Sequence, residues 1–593
     1  MEFVDLKAQY QRLQPQMEEA VLAVLRGGNY ILGPEVEQLE QELAAYVGAP
    51  YCVAVASGTD ALLLSLMAAG IGPGDLVLTT AFSFFATSEV VGLLGGEVLF
   101  CDINPDTYNL DPYCLEHLIK RIRKTTNRVP KAVIAVDLFG QCAEYDKIEE
   151  ICGENDLLLI EDAAQSMGAE LRGKKAGIFG RFGCTSFFPS KPLGCYGDGG
   201  AVFCHTKEDW DMLRSLRVHG QGGDKYDNHR FGLNARLDAL QAAVLRTKLP
   251  ILEEELAARR QLAGWYDQGL AGIVKTPRVK EGLTSSYAQY TIAVDADKRD
   301  ALQARLAAQG IPAHVYYPTP LHKLPVYCGG LDQNLPNAQL AAQTVLSLPM
   351  HPYLTLLRSA RLGSNRDARS DEIGIFIRQF LLLHGIDHQK VEDVIIASVV
   401  PQIMYSMNNA IRKYLNKVPL VAGESVPYYV TNHYDNPAQV GADRLGNVLP
   451  AGKKYGAPLI VVDFGTATTF DAVSREGAYE GGAIYPGVKL SMDALAQKAS
   501  KLPQVAIDDP GVLIGKNTVQ SMQVGAVYGY VGAVENICRR MKQELGEDAK
   551  VIATGGLATM IAAQTGEIFA VDKTLTLTGL QMIYAAHCKE KAE

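Results

Sequence analysis

The sequence predicts an α/β protein built from several compact units, and three observations carry that expectation. At 593 residues, 48% hydrophobic and 21% charged, the chain is too long for one hydrophobic core, and about 150 residues per domain gives roughly four units. From about residue 34 helical and strand patterns alternate, which argues for a mostly parallel sheet covered on both faces. Glycine, at 56 residues, is above average and implies many tight turns and close backbone approaches.

Composition also excludes whole classes. With 56 basic against 66 acidic residues, a net charge of −10 and no long Lys/Arg run, the chain lacks the electrostatic footprint of a nucleic-acid binder. The start, Met-Glu-Phe-Val-Asp-Leu-Lys, has acidic residues where a signal peptide needs basic ones. No apolar run approaches a membrane span, so a cytoplasmic protein without membrane contact is expected. Eleven cysteines without a C-x-x-C pair or Cys/His metal spacing read as reduced, mostly buried thiols.

The elements follow in order. Pro34 opens a helix whose apolar face is Val36, Leu39, Leu43 and Val47, and Gly48 stops it. Tyr51 to Ala56 reads as a buried strand, Asp60 to Ala69 as a helix, and further strands are expected at Leu76–Thr80, Glu97–Cys101, Ala132–Asp137 and Leu157–Ile160. A lower-density α+β segment runs from Ser286 to Thr355. Between residues 355 and 370 Arg358, Arg361, Arg366 and Arg369 are interleaved with Ser, Gly, Asn and Asp, marking a domain boundary. Beyond it come a helix from Asp371 to His384, strands Asp393–Val400 and Pro458–Asp463, helix Thr518–Leu545 and strand Lys550–Thr554.

Two constellations carry chemistry. In the first, Ser57-Gly58-Thr59 lies where a strand gives way to a helix, so free N–H groups and two hydroxyls can hold a phosphate; alone, such a turn is a plain N-cap. The strand ending in Glu161-Asp162-Ala163-Ala164-Gln165-Ser166 puts a carboxylate at the sheet rim, where it needs a cationic partner or serves as a cap. With its lysine twenty-nine residues after Asp162, Ser186-Phe187-Phe188-Pro189-Ser190-Lys191-Pro192-Leu193-Gly194 sets that lysine among aromatic and proline residues, where partial desolvation can make it a Schiff-base nucleophile; taken alone, a lysine is usually a solvated surface charge. Together these motifs resemble the fold-type I, pyridoxal-phosphate-dependent sugar aminotransferases of the DegT/DnrJ/EryC1/StrS family, from about residue 2 to 355.

The resemblance implies that Lys191 forms the Schiff base and shuttles a proton, and that Asp162 pairs with the pyridinium nitrogen. It implies that Phe84 stacks on the ring, Gln165 lies near its 3-hydroxyl, Gly58, Thr59 and Ser186 form the phosphate cup, and Asn234 reaches the phosphate from the partner of a homodimer. The wording Asp5-Leu6-Lys7-Ala8-Gln9-Tyr10 and Val218-His219-Gly220-Gln221 is most similar to enzymes that aminate a UDP-linked 3-keto-N-acetylglucosaminuronate with glutamate. His219, Tyr316, Tyr317 and His322 are candidates for sugar-nucleotide contact or for packing.

In the second constellation, Tyr434 precedes Gly441-Ala442-Asp443-Arg444, the strand to Asp463 ends in Phe464-Gly465-Thr466-Ala467-Thr468-Thr469, and Ala553-Thr554-Gly555-Gly556 ends another. Strand then Asp-x-Gly-Thr is a phosphate-facing hairpin of actin-like ATPases, or a merely structural turn. Gly511 to Lys516 is one residue too short for a P-loop. The set resembles the type III pantothenate kinases, an ATP-dependent family opening coenzyme A synthesis, from about residue 358 to 590. It implies Asp443 as general base, Tyr434, Gly441, Ala442, Arg444 and Thr518 at pantothenate, Thr466 at ATP with Mg²⁺, and Asp463 at a monovalent cation, K⁺ or NH₄⁺.

This chain departs from the second pattern: the family's opening Asp-x-Gly-Asn-Thr hairpin occurs nowhere in it. The expected architecture is a cofactor domain (1–250), a small aminotransferase domain (251–357) and two actin-like lobes (358–460 and 461–593), the first lacking its opening strands. The expected activity is sugar amination with an impaired kinase. Other readings stay open: the kinase as the main activity, its module as a non-catalytic dimerisation or binding appendage, or two genes joined by deletion or misassembly.

Overall fold

Seven strands form the central sheet of the first unit: β1 (Tyr51–Val55), β2 (Leu76–Thr80), β3 (Glu97–Cys101), β4 (Pro130–Val136), β5 (Leu158–Asp162), β6 (Phe182–Ser186) and β7 (Gly200–Cys204). Their spatial order is β1-β7-β6-β5-β4-β2-β3, with β7 antiparallel to both neighbours and the remaining pairs parallel. The computed structural model describes the chain except residues 1, 127, 225, 328–333, 355–367, 384–385, 398–400, 500 and 593. Contacts divide it into two units, Met1–Leu357 and Arg358–Glu593.

Helices cover both faces of this sheet, which is why its strands read as continuous apolar runs. Val53, Val55, Ile134, Ile160 and Phe182 enter one core with helix Gly58–Ala68, while Leu78, Val133, Ala135 and Leu159 enter another with helices Pro112–Thr125 and Tyr145–Glu154. The helix foreseen at Pro34 runs Pro34–Val47, buries Val36, Leu39, Leu43 and Val47, and ends on Gly48 at φ 82°. Two features escaped the sequence reading. A first helix, Leu6–Gly27, carries Pro15 internally, and β6 and β7 flank the Lys191 loop. Gly183 makes β6 possible, because a Cβ there would stand 2.0 Å from the Gly177 carbonyl oxygen.

The smaller part of this unit is built on helix Leu252–Leu270 and the antiparallel pair Tyr290–Ala293 with Val345–Leu348. Its last segment is held tightly. Tyr266 donates to the Pro349 carbonyl (2.9 Å), Arg259 to that of Met350 (3.0 Å), the Met350 amide to Phe3 (3.2 Å), and the Tyr353 hydroxyl to Glu255.

In the second unit, strands Tyr479–Pro486, Ala467–Val473, Leu459–Phe464, Lys550–Gly555 and Ala570–Val571 lie side by side in that order. Numbered by sequence this is 3-2-1-4-5, with the first three antiparallel and the rest parallel. Upstream, helix Ser370–Leu383, strand Ile395–Ile396, helix Pro401–Leu415 and strand Leu420–Val421 repeat the element order that surrounds strands 4 and 5. Those two short strands pair in parallel and, among the described residues, form a sheet by themselves. The first lobe is thus described as strands 4 and 5 without 1 to 3. Helix Ser370–Leu383 is correspondingly bare: only Ile373 and Gly374 are buried, while Ile375, Leu382 and Leu383 are exposed. The strand expected over Asp393–Val400 is Ile395–Ile396, with 398–400 and His384 outside the described residues. Helix Thr518–Leu545 contains a π turn at Gly525–Gly529.

Ten described cysteines are free thiols, eight of them buried, and among the described residues no helix is long and apolar enough to cross a membrane. Both tryptophans, Trp210 and Trp265, lie in the first unit. Gly183→Ala, which forces a methyl onto a backbone carbonyl, is expected to destabilise that unit by about 1–3 kcal/mol, read as an earlier tryptophan-fluorescence transition in urea.

Candidate active sites

The loop from Phe187 to Gly199 joins β6 to β7 and carries Lys191. It is closed by Phe187 N–H to Gly199 O (2.8 Å), Cys195 N–H to Phe187 O (2.8 Å) and Lys191 N–H to Phe188 O (2.9 Å). Gly194 permits the closure, since a Cβ there would stand 2.5 Å from Pro189 O. The Lys191 ammonium makes no hydrogen bond or ion pair among the described residues. Burial pushes its pKa down to about 8, against the opposing pull of Asp162.

Asp162 ends β5 and is buried. Thr87 Oγ1 donates to its Oδ2 (2.8 Å), the Ala164 amide to its Oδ1 (3.2 Å), and Ser83 Oγ lies 3.0 Å from Thr87 Oγ1. Burial raises its pKa while these donors and Lys191 lower it, so the charge is held by directed partners rather than by water.

The expected phosphate cup is the place where the end of β1, the start of helix Gly58–Ala68 and the end of β6 meet. Ser57 is both N-cap and cup wall, its Oγ accepting from the Asp60 amide (3.0 Å) at the start of helix Gly58–Ala68. A Cβ on Gly58 would fall 2.7 Å from Ser186 Cβ, and one on Gly200 would fall 2.5 Å from Ser57 O, so both glycines let the strand end and helix start close together. The Phe84 ring is 59% exposed and lies 6.3 Å from that of Tyr317. Gln165 donates through Nε2 to Tyr317 OH (3.1 Å) and accepts at Oε1 from the amide of Phe139 (2.8 Å), a residue in the left-handed region at φ 59°.

Other expected residues stand apart. His219 and Asn234 are exposed, on segments joined by the Val218–Asn234 bridge and by His219 N–H to Leu233 O (2.9 Å), and neither touches Lys191 or Asp162 within one chain. His322 packs near Phe100 (6.5 Å) and Gln339 (3.3 Å), and Tyr316 near Phe3 (6.2 Å).

In the second unit Gly441 caps helix Ala442–Tyr455, whose first turn holds Asp443 and Arg444. The Asp443 carboxylate accepts from the Arg444 amide (2.9 Å). The Arg444 guanidinium pairs with Asp471 (2.6 Å), which also receives Thr469 Oγ1 (3.0 Å) and Tyr479 OH (3.2 Å). Burial pushes Asp471 up to about 6 despite that cation. The Tyr434 ring lies 6.2 Å from that of Tyr479. One helical turn from Asp443, Asn447 donates to Asp463 (3.0 Å) and accepts from Thr576 (2.7 Å). Thr466 is exposed in the hairpin after Phe464, where a Cβ on Gly487 would fall 2.3 Å from its carbonyl oxygen. Thr518, also exposed, starts a helix capped by Asn517. Gly511–Lys516 is irregular backbone not preceded by a described strand, which rules out a P-loop.

The model of the DegT/DnrJ/EryC1/StrS aminotransferase family matches residues 11–362. The chain belongs to this family. The model for type III pantothenate kinase matches residues 344–540. An aminotransferase from Pseudomonas aeruginosa, "UDP-2-acetamido-2-deoxy-3-oxo-D-glucuronate aminotransferase", is 48% identical over 355 residues, 60% of this chain and 96% of the relative. A type III pantothenate kinase from Myxococcus xanthus is 48% identical over 229 residues, 39% of this chain and 90% of the relative. Among solved structures, a DegT/DnrJ/EryC1/StrS aminotransferase from Brucella abortus superposes with a TM-score of 0.58 at 46% identity, covering 60% of this chain and 95% of that one. The protein is therefore a pyridoxal-phosphate-dependent sugar aminotransferase with a type III pantothenate kinase domain fused to it.

The aminotransferase site fits its family's cofactor on its own geometry: a cup without room for a Cβ, an aromatic face open to solvent, a buried carboxylate and an unpartnered amine. In the kinase domain the hairpin carrying Asp463 to Thr469 is in place, whereas the described first lobe offers no facing hairpin. Sequence reasoning missed the partners that hold these groups: Thr87 on Asp162, Asp471 and Tyr479 on Arg444, and Asn447 on Asp463. Strand alternation, which sets Thr469 and Asp471 on one face, was the available signal for one of them.

Two outcomes are expected. In cofactor-free protein, capture of pyridoxal phosphate as a borohydride-reducible adduct should rise with pH through a midpoint near 8, because the neutral amine is the nucleophile; an exposed lysine would place that midpoint above 10. Asp471→Asn, which strands the buried Arg444 charge, should cost about 3 kcal/mol, seen as roughly hundredfold faster amide exchange in strands 459–473.

Proposed function

We propose that the first unit transfers the amino group of glutamate to the keto carbon of a UDP-linked 3-keto-N-acetylglucosaminuronate, acting as a homodimer. The carrying observation is the half-buried Lys191 ammonium, which makes no hydrogen bond or ion pair among the described residues and is acted on by the buried Asp162. The sugar class rests on the 48% identity to the P. aeruginosa enzyme, whose printed name states that substrate type. Pyridoxal phosphate supplies an electron sink for the carbanion at the donor's Cα. The chain's own residues do the rest. Asp162, fixed by Thr87, keeps a proton on the ring nitrogen; Ser57, Gly58, Thr59 and Ser186 hold the phosphate; Phe84 covers one ring face; Gln165 stands by the 3-hydroxyl. Lys191, low enough in pKa to be neutral in part of the population, moves the proton from donor Cα toward the cofactor carbon. The exposed Asn234 and His219 serve the partner's site and the sugar nucleotide, with Tyr317.

For the second unit we propose a pantothenate site without effective phosphoryl transfer. Arg444, Tyr434 and Asp443 group around one end of helix Ala442–Tyr455, supporting substrate binding with Asp443 as base, and Thr466 and Asp463 are proposed for ATP and a monovalent cation. Phosphoryl transfer depends on charge neutralisation from both sides of the γ-phosphate, and here the described residues supply one side.

The test is paired. Purified full-length chain should form 2-oxoglutarate and a UDP-amino sugar from glutamate and the UDP-3-keto sugar acid, and Lys191→Ala should lose both this activity and the reducible adduct. With ATP, Mg²⁺, K⁺ and pantothenate the same chain should give no phosphopantothenate above background. Turnover of at least ~1 s⁻¹, typical of enzymes, would refute the second reading.

A further inference from the structure

Lys248 is 2% exposed, yet it is the last residue of a helix, Ala239–Lys248, where lysines ordinarily reach solvent or their own helix carbonyls. Its ammonium donates instead to the carbonyl of Gly194 (2.7 Å), 54 residues upstream, and lies 4.1 Å from the centroid of the Tyr196 ring. Gly194 is the residue whose lack of Cβ closes the Lys191 loop onto Pro189 O. The same helix holds the loop a second time. Gln241 Oε1 accepts from the Tyr196 amide (2.9 Å), and its Nε2 would stand 2.9 Å from a Cβ on Gly197.

The buried charge is balanced from the next helix. Glu255, in helix Leu252–Leu270, and Cys195 are the ionisable groups that act on Lys248, and Glu255 is itself fixed by Gln9 Nε2 (2.9 Å) and the Tyr353 hydroxyl. Burial lowers Lys248 to about 8. Fold stability alone does not call for a buried cation in this position, because an apolar side chain of the same length fills the space without desolvating a charge. What the cation supplies is a directed bond to one carbonyl of the loop that presents Lys191.

We infer that Lys248 is a positioning residue of the transamination site: by gripping the Gly194 carbonyl it fixes the Phe187–Gly199 loop and so keeps the Lys191 amine in its half-buried place. This rests on Lys191 being the Schiff-base lysine. Loss of the grip frees the loop tip, more water reaches Lys191, and its pKa moves back toward that of an ordinary lysine, with Asp162 the ionisable group acting on it. Sequence reading passes over Lys248, since in Val244-Leu245-Arg246-Thr247-Lys248-Leu249 it looks like one more cation at a helix end.

The experiment compares Lys248→Met, Lys248→Arg and the unchanged chain at full length. In cofactor-free protein, the pH dependence of Lys191 acetylation by trace acetic anhydride is read by peptide mass spectrometry, with tryptophan fluorescence confirming the fold of the first unit. Lys248→Met should raise the Lys191 midpoint by at least one pH unit and slow capture of pyridoxal phosphate at pH 7.5 about tenfold, one unit of pKa being tenfold in neutral amine. Lys248→Arg, which keeps a cationic donor, should restore most of both. A folded Lys248→Met protein with an unchanged Lys191 midpoint overturns the inference. Should Lys248→Met not fold, Lys248→Gln, one atom too short to reach Gly194, takes its place: a raised Lys191 midpoint supports the inference and an unchanged one overturns it. If Lys191→Ala still forms a reducible adduct, the Schiff-base assignment fails, whereas the labelling result for Lys248 is read independently of it.

Discussion

A half-buried amine at the carboxyl edge of a parallel sheet, with one buried carboxylate to answer it, is the constraint around which the first unit is organised. Neither charge is stable there without construction. Asp162 is kept ionisable by a hydroxyl from the helix after β2 and an amide from its own turn. Lys191 is held half-buried by a loop that closes because Gly194 has no Cβ. Parallel pairing brings the ends of β5 and β6 side by side, and the antiparallel β7 returns the chain so that the loop stands over that edge. Packing on both sheet faces then buries Asp162 away from water.

Much of this was legible in the sequence, for identifiable reasons. Motif residues such as Asp162, Lys191, Arg444 and Asp463 are fixed by chemistry at strand and helix ends, where spacing along the chain translates directly into position. Runs such as Leu76–Thr80, buried at every position, read plainly as strands. The hidden part depends on three-dimensional closure. β6 and β7 are as long as most of the foreseen strands, but each contains glycine and they are parted by a turn-rich loop. Thr87, Asp471 and Asn447 matter through partners far off in sequence, and burial of Lys248 arises where two other segments meet over it.

The two units are cut very differently. The aminotransferase is held to its described end: Arg259, Tyr266 and Glu255 bind the backbone and side chains of Pro349–Tyr353, so its core is already closed at that point. The kinase domain has a complete 3-2-1-4-5 sheet in its second lobe and only the 4-5 pair described in its first. A closed sheet satisfies its own backbone and shields its own core; a pair of two-residue strands does neither.

That asymmetry has a cellular side. Helix Ser370–Leu383 presents the apolar side chains of Ile375, Leu382 and Leu383 to solvent. Surfaces of that kind are the ones holdase chaperones and quality-control proteases recognise, and they act on the whole polypeptide rather than on one module. The lifetime of a well-built aminotransferase is thereby tied to the least finished surface on its chain.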